Sequence, residues 1–251
     1  MTSPQSPDAQ AFARILSHDL APLIRSSKQL AAYVREDILR EDADGAMHAL
    51  GMMEVRIAGI DRFVNELVRY FRAGTRAQKP EQFSLTETIQ SIFAKQIRVS
   101  GPQLHLTCSR DIIIADLTQV KFVVAELLRN AYVHHDDAES LMLNITISHA
   151  SDDSTTIAVN DNGPGVPDSF LSRVLDPFVK IGGKSGAAGL GLAICREELH
   201  SIGGSIQVAA NQPRGLSVTV TFPSAEVMQR ATDRPTIRPL DGGSKPSLKV
   251  V

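Results

Sequence analysis

Glu126 and Asn130 stand four residues apart in "AELLRNAYVHH", so on a helix both project from one face. Such a pair is either a solvated helix face or an oxygen-rich site, in which the Asn130 amide oxygen serves a magnesium ion beside nucleotide phosphates. Glu126 would then hold a metal-bound water or orient Asn130. "NDNGPGVP", residues 160–167, follows a strand pattern and carries strong turn signals. It is either a plain loop or a base reader: a buried Asp161 would accept from a donor such as the exocyclic amine of adenine. Gly163 and Gly165 would let the backbone approach that base. "GKSGAAGLGLAI" sets Gly189, Leu190 and Gly191 where a helix begins, so backbone N–H groups at its positive end could meet triphosphate oxygens. The same glycines also suit an ordinary helix start, and GxxxxGK[ST] is absent, so no P-loop is offered.

A fourth candidate lies in "ARILSHDLAPLIRSS". Pro22 lacks the N–H that would bond the carbonyl of His18, so a bend or loosening is expected between the two. At roughly 100° per residue, His18 lies about 160 to 200° around the helix from Leu16 and Leu20 and faces solvent. Arg14 and Arg25 share its side, which suits a phosphate donor or an acidic partner.

These residues need elements to carry them. Ser6-Pro7-Asp8 reads as a helix start. Leu16, Leu20, Leu23, Ser27, Leu30 and Val34 alternate spacings of four and three, and after "REDADGA" so do Leu50, Met53, Ile57, Ile60, Val64, Leu67 and Phe71. Two antiparallel helices over 8–73 are expected. One hairpin cannot hide both apolar seams, so two copies should pair into a four-helix bundle, a homodimer. "RAGTRAQKPEQF" reads as a linker, 74–82. A second domain over 83–223 opens with the capping box of Ser84 and Glu87, then mixes strands with helices as an α/β sandwich, so the fold class is α+β. Residues 1–7 and 224–251 are expected to be disordered.

Composition excludes several other classes. The 251 residues hold 26 Lys plus Arg and 28 Asp plus Glu, a net charge of -2, so no basic face recommends a nucleic-acid partner. Two cysteines, Cys108 and Cys195, fit a reducing compartment and offer no metal framework. Apolar runs such as "DIIIADL" are too short to span a bilayer, so no membrane partner and a cytoplasmic location are expected. His48, His105, His149 and His200 sit singly, and the adjacent His134 and His135 diverge by about 100° on a helix, poor geometry for joint metal ligation.

Taken in order, "SHDLAPL", "ELLRNAYVHH", "DNGPG", "LDPF" and "GLGLAI" resemble the H, N, first glycine, F and second glycine boxes of two-component sensor histidine kinases. The resemblance covers about residues 8–223. It implies a dimerisation and histidine-phosphotransfer hairpin followed by an ATP-binding catalytic domain of the Bergerat type, with ATP and Mg2+ as cofactors. By the same resemblance His18 is the phosphoacceptor and Asp19 accepts its imidazole N–H. Asn130 is the magnesium ligand, Asp161 the adenine reader, and Gly189 with Gly191 the phosphate-facing segment. The implied partner is the receiver domain of a response regulator.

The chain departs from the family at several points. Pro22 occupies the place four after the histidine where a threonine or asparagine positions water for regulator dephosphorylation, so weak or absent phosphatase activity is expected. Val133 replaces a basic residue that contacts phosphate, leaving Lys180 or Lys184 to supply charge. Leu175 replaces the first F-box phenylalanine, and Ala187 with Ala188 replace the residues expected before "GLGL". Val179 to Ala188 is short and Gly-rich, as suits a lid. No input domain precedes the hairpin, so a separate sensor protein delivers the signal, the chain is a piece of a longer protein, or activity is constitutive. Two other readings stay open: a phosphorelay histidine phosphotransferase with a degenerate ATP site, and the serine kinases and anti-sigma proteins that share the ATP-binding fold.

Overall fold

The computed structural model describes residues 17, 20–75, 78–181, 189–224 and 226–228. Expectations placed on the helix start at Ser6, on Arg14, Leu16, His18, Asp19, Lys184, Ala187, Ala188 and on the chain after 228 lie outside the described residues.

Helices α1 (Ala21–Leu39) and α2 (Ala43–Arg72) form the hairpin. Pro22 sits in the first turn of α1, and Ser17 and Leu20 before it have π-helical backbone. Leu20 lies in the turn where a proline that withholds an N–H is expected to loosen the helix. Asp42 caps α2 by accepting from Gly45 N at 2.9 Å, while Arg69 and Arg72 place positive charge at its negative end. Leu30 of α1 and Ala46, Ala49, Phe63 and Tyr70 of α2 are buried. Ile57, Val64 and Phe71, read as seam residues, are exposed in the single chain. They lie about 80 to 120° round α2 from Phe63, on a second apolar stripe that Val68 extends.

The rest of the chain is a sandwich. Strand β1 (Pro80–Ser84), helix α3 (Leu85–Gln96), strands β2 (Gln103–Cys108) and β3 (Ile112–Asp116) and helix α4 (Leu117–His134) come first. Strands β4 (Met142–His149) and β5 (Thr155–Asp161), the short helix α5 (Asp168–Leu171), helix α6 (Gly191–Ser201) and strands β6 (Ser205–Ala210) and β7 (Leu216–Phe222) follow. The main sheet has the order β2-β4-β5-β7-β6, with β2 parallel to β4 and the other neighbours antiparallel. Leu143, Ile145 and Ile147 of β4 alternate inward with exposed Met142, Asn144, Thr146 and Ser148. The inward face packs on Leu85 and Ile89 of α3, Val120, Val124, Leu127 and Leu128 of α4, and Cys195 and Leu199 of α6. Each such large side chain contributes about 1.5–3 kcal/mol of burial.

One pairing was not expected. Residues Pro80–Gln82, read as linker, pair antiparallel with Ile114–Asp116 of the run "DIIIADL", extending to Ser84 opposite Ile112. Pro80 is tolerated because it opens a strand of a two-stranded sheet. At the capping box, Ser84 Oγ accepts from Glu87 N at 3.1 Å as expected. Asp111 from across the small sheet completes the cap, its Oδ2 accepting from Ser84 Oγ at 2.6 Å and its Oδ1 from Thr86 N at 2.8 Å.

Candidate active site

Helix α4 forms one wall of the site. Asp116 caps it by accepting from Gln119 N at 2.9 Å and fixes the preceding segment through Lys79 N at 2.8 Å. The apolar stripe from Val120 to Ala131 holds the helix on the sheet, which leaves Glu126, Asn130 and His134, at i, i+4 and i+8, on one flank. Asn130 and His134 line a cavity of about 470 Å³. Glu126 stands one turn earlier, its side chain 13% exposed, and Oε2 accepts from Arg129 Nη2 at 2.6 Å and from Arg129 Nε at 3.1 Å. Burial works against the Arg129 charge, but Glu126 and then Glu66 of the hairpin outweigh it and raise the pKa.

Asp161 lines the same cavity. Its Oδ1 accepts from Gly163 N at 2.9 Å and from Leu216 N at 3.1 Å, and among the described residues Oδ2 carries no hydrogen bond. Burial raises its pKa, against the lowering effect of those two N–H groups and of His135 and His134. Gly163 and Gly165 line the cavity beside it with Leu127, Val159, Leu216 and Val218 as apolar wall. Gly165 has φ +71, and a Cβ there would lie 2.8 Å from Gly215 O, so this turn requires glycine. A flat base with an edge amine fits this apolar slot with one acceptor.

The third wall is the start of α6. Leu190 at the N-cap makes no side-chain cap bond, so among the described residues the first N–H groups of the helix carry no side-chain cap and suit an anion. A Cβ on Gly191 would come within 2.8 Å of Glu126 Oε2 and 3.0 Å of Arg129 Nη2, so this helix start is seated directly on the Glu126–Arg129 pair. Gly189 has φ +72, and its carbonyl accepts from Phe178 N at 2.8 Å. Phe178 itself adopts φ +70. It stacks at a tilt on Tyr70 of α2 with centroids 6.0 Å apart, and Leu190 is wholly buried among Phe63, Tyr70, Ala193 and Ile194. The hairpin therefore packs on residues that line or adjoin the cavity.

Asn130, Asp161, Gly163, Gly165, Lys180, Gly189, Leu190 and Gly191 thus line one cavity, with Glu126 behind it. His18, Asp19 and Lys184 lie outside the described residues. Sequence reasoning missed two groups. Arg129 gave no signal beyond its i, i+3 spacing from Glu126. His134 carries no sequence signal beyond its adjacency to His135, and both line the cavity. His134 lines the cavity, where burial first and Arg129 second lower its pKa. His135 accepts from Asp137 N at Nδ1 and so presents Nε2–H to Asn162 Oδ1, 3.1 Å away.

Residues 115–226 match the family described as histidine kinase-, DNA gyrase B- and HSP90-like ATPases. The alginate biosynthesis sensor protein KinB of Pseudomonas aeruginosa is 31% identical over 208 residues, which span 80% of this chain and 33% of KinB. The chain thus spans about a third of that relative's length. The histidine kinase AdeS of Acinetobacter baumannii shares the fold at TM-score 0.61 with 16% identity, covering 84% of this chain and 98% of AdeS. The histidine kinase ThkA, solved with the response regulator protein TrrA, does so at 0.61 with 20% identity, covering 90% of this chain and 65% of ThkA. No helix among the described residues is long and apolar enough to cross a membrane. Residues 115–226, which hold this cavity's Asn130, Asp161 and Gly191, thus carry an ATPase domain of the histidine kinase-, DNA gyrase B- and HSP90-like family, and 80% of the chain is similar to a sensor protein of that kind.

Proposed function

We propose that the protein is an ATP- and magnesium-dependent histidine kinase that phosphorylates His18 and passes the phosphoryl group to an aspartate on a response-regulator receiver domain. The observation that carries this reading is the convergence of Asn130, Asp161, Gly189 and Gly191, from widely separated motifs, on one cavity. The donor set fits the cofactor. Among the described residues, Asp161 offers one unengaged acceptor oxygen in an apolar slot, Asn130 offers an amide oxygen, and the start of α6, without a side-chain cap, offers N–H groups to phosphate. ATP with magnesium supplies the γ-phosphoryl group and screens its charge.

In this reading Asp161 orients the base, Asn130 holds the metal, and Lys180 with the N–H groups of α6 meets the phosphates. Asp19 accepts the His18 imidazole N–H, which leaves the other ring nitrogen with its lone pair. That nitrogen forms the bond to the γ-phosphorus as the bond to the β–γ bridging oxygen breaks and ADP departs. His18 attacks in its unprotonated form. Glu126 orients Asn130 or a metal-bound water.

The hairpin works as a homodimer in this account. Ile57, Val64, Val68 and Phe71 of α2 and Ile24 and Ile38 of α1 are exposed in the single chain, and pairing two hairpins would cover them. The activity is tested by incubation with γ-labelled ATP and magnesium. Acid-labile, base-stable label that disappears in His18→Ala and in Asn130→Ala supports the kinase, and nucleotide binding without label supports a phosphotransferase instead.

A further inference from the structure

The β6–β7 turn, residues 211–215, grips Asp161. Asn211 Nδ2 donates to the Asp161 carbonyl at 2.7 Å, and Leu216 N, where the turn ends, donates to Asp161 Oδ1 at 3.1 Å. Asn211 N bonds Gly215 O at 3.0 Å and closes the turn, so one residue fastens both the turn and the aspartate. Gly215, at φ +116, lies so near that a Cβ there would sit 1.8 Å from Asp161 O and 2.9 Å from Oδ1. The regular β5–β7 ladder ends one residue earlier, at Asn160 opposite Ser217. At the next position the Leu216 N–H serves the carboxylate, and the Asn211 side chain serves the carbonyl.

The result is a defined carboxylate orientation. Two N–H groups converge on Oδ1, one from Gly163 and one from Leu216, and the carboxylate cannot turn without losing both. Oδ2 is thereby fixed as the oxygen left for a ligand. We infer that the β6–β7 turn is a positioning device for base recognition, in which Asn211 and Gly215 set the angle of Asp161. It thereby sets selectivity for a base presenting an exocyclic amine over one presenting a carbonyl. This rests on the reading of the cavity as an adenine-nucleotide site.

The experiment compares binding of ribose-labelled fluorescent ATP, ribose-labelled fluorescent GTP and inorganic tripolyphosphate to the full chain, in the unaltered protein, Asn211→Ala and Asn211→Asp. Asn211→Asp is isosteric and turns the donor into an acceptor facing a carbonyl oxygen. The expected result is an ATP affinity reduced about tenfold in both variants, with GTP and tripolyphosphate affinities held within about twofold, as loss of one orienting hydrogen bond implies. An unchanged ATP-to-GTP ratio in both variants, beside a clear ATP preference in the unaltered protein, overturns this inference alone. So does an equal loss for all three ligands with a lowered melting midpoint, since that marks a merely structural turn. An unaltered protein with no preference for ATP over GTP removes the adenine reading itself, and this inference with it.

Discussion

Arg129 donates twice to one oxygen of Glu126, from Nη2 at 2.6 Å and from Nε at 3.1 Å, one turn before Asn130. The second carboxylate oxygen, Oε1, has no hydrogen bond among the described residues, so Glu126 is both held in place and left with an acceptor. Glu126→Gln keeps the shape and removes the charge. We expect phosphorylation of His18 to slow about 100-fold, as for misplacement of the Asn130 amide or the metal-bound water it orients, with ATP affinity changed little. Arg129→Ala should act differently and lower unfolding free energy by about 2 kcal/mol, because it leaves a largely buried carboxylate without its charged partner. Single-turnover kinetics and thermal melts separate the two effects.

Asp161 is destabilising as an ion. Burial raises its folded pKa above the unfolded value of about 3.9. A raised acid contributes stability below the unfolded pKa and loses it as pH rises through the folded pKa, so at neutral pH the ionised group costs stability. Asp161→Asn keeps an acceptor for Gly163 N and Leu216 N but puts an NH2 group where a base amine would donate. The melting midpoint at pH 7 should therefore be unchanged or higher, with the gain vanishing below about pH 4, while ATP binding is lost. Melts across pH with parallel nucleotide titrations check both halves; a variant that binds ATP normally would contradict the assignment.

The second apolar stripe on the hairpin predicts oligomeric state. Val64 is 42% exposed in the single chain, beside Ile57 and Val68, while Phe63 next to it in sequence is 3% exposed. Val64→Glu should convert a dimer to a monomer in sedimentation equilibrium and leave the hairpin folded, because the substitution touches only the outward stripe. A monomeric unaltered protein at micromolar concentration would count against the bundle.

How much of this could be read without coordinates depends on the distance over which the signal travels. The helical spacing of Glu126 and Asn130, the turn after Asp161 and the glycines around Leu190 are local patterns, and each placed its residues on the right element. The contacts that aim them are not local. Asn211 reaches Asp161 over fifty positions through a side-chain bond to a backbone carbonyl, which leaves no periodicity. Pro80–Ser84 pairs with a strand whose own run looked like no more than an apolar stretch, and the proline pointed to a linker. Tyr70 on Phe178 joins an aromatic of the hairpin to one beside the cavity, and neither residue carries a spacing that names the other.

Pro22 predicts a deficit. It occupies the first turn of α1 with no side-chain donor or acceptor, at the place where the resemblance to sensor histidine kinases implies a residue that aims water. The unaltered protein should dephosphorylate a phosphorylated receiver domain slowly, and Pro22→Thr should accelerate that reaction. Rapid dephosphorylation by the unaltered protein would remove this expectation.

The central claim is that His18 receives phosphate from ATP bound in the cavity of Asn130 and Asp161. The most direct measurement is incorporation of label from γ-labelled ATP with magnesium into the unaltered chain, His18→Ala and Asn130→Ala. Acid-labile, base-stable label is expected on the unaltered chain and none on either variant. Label that persists in His18→Ala, or ATP binding with no label on the unaltered chain, would contradict it.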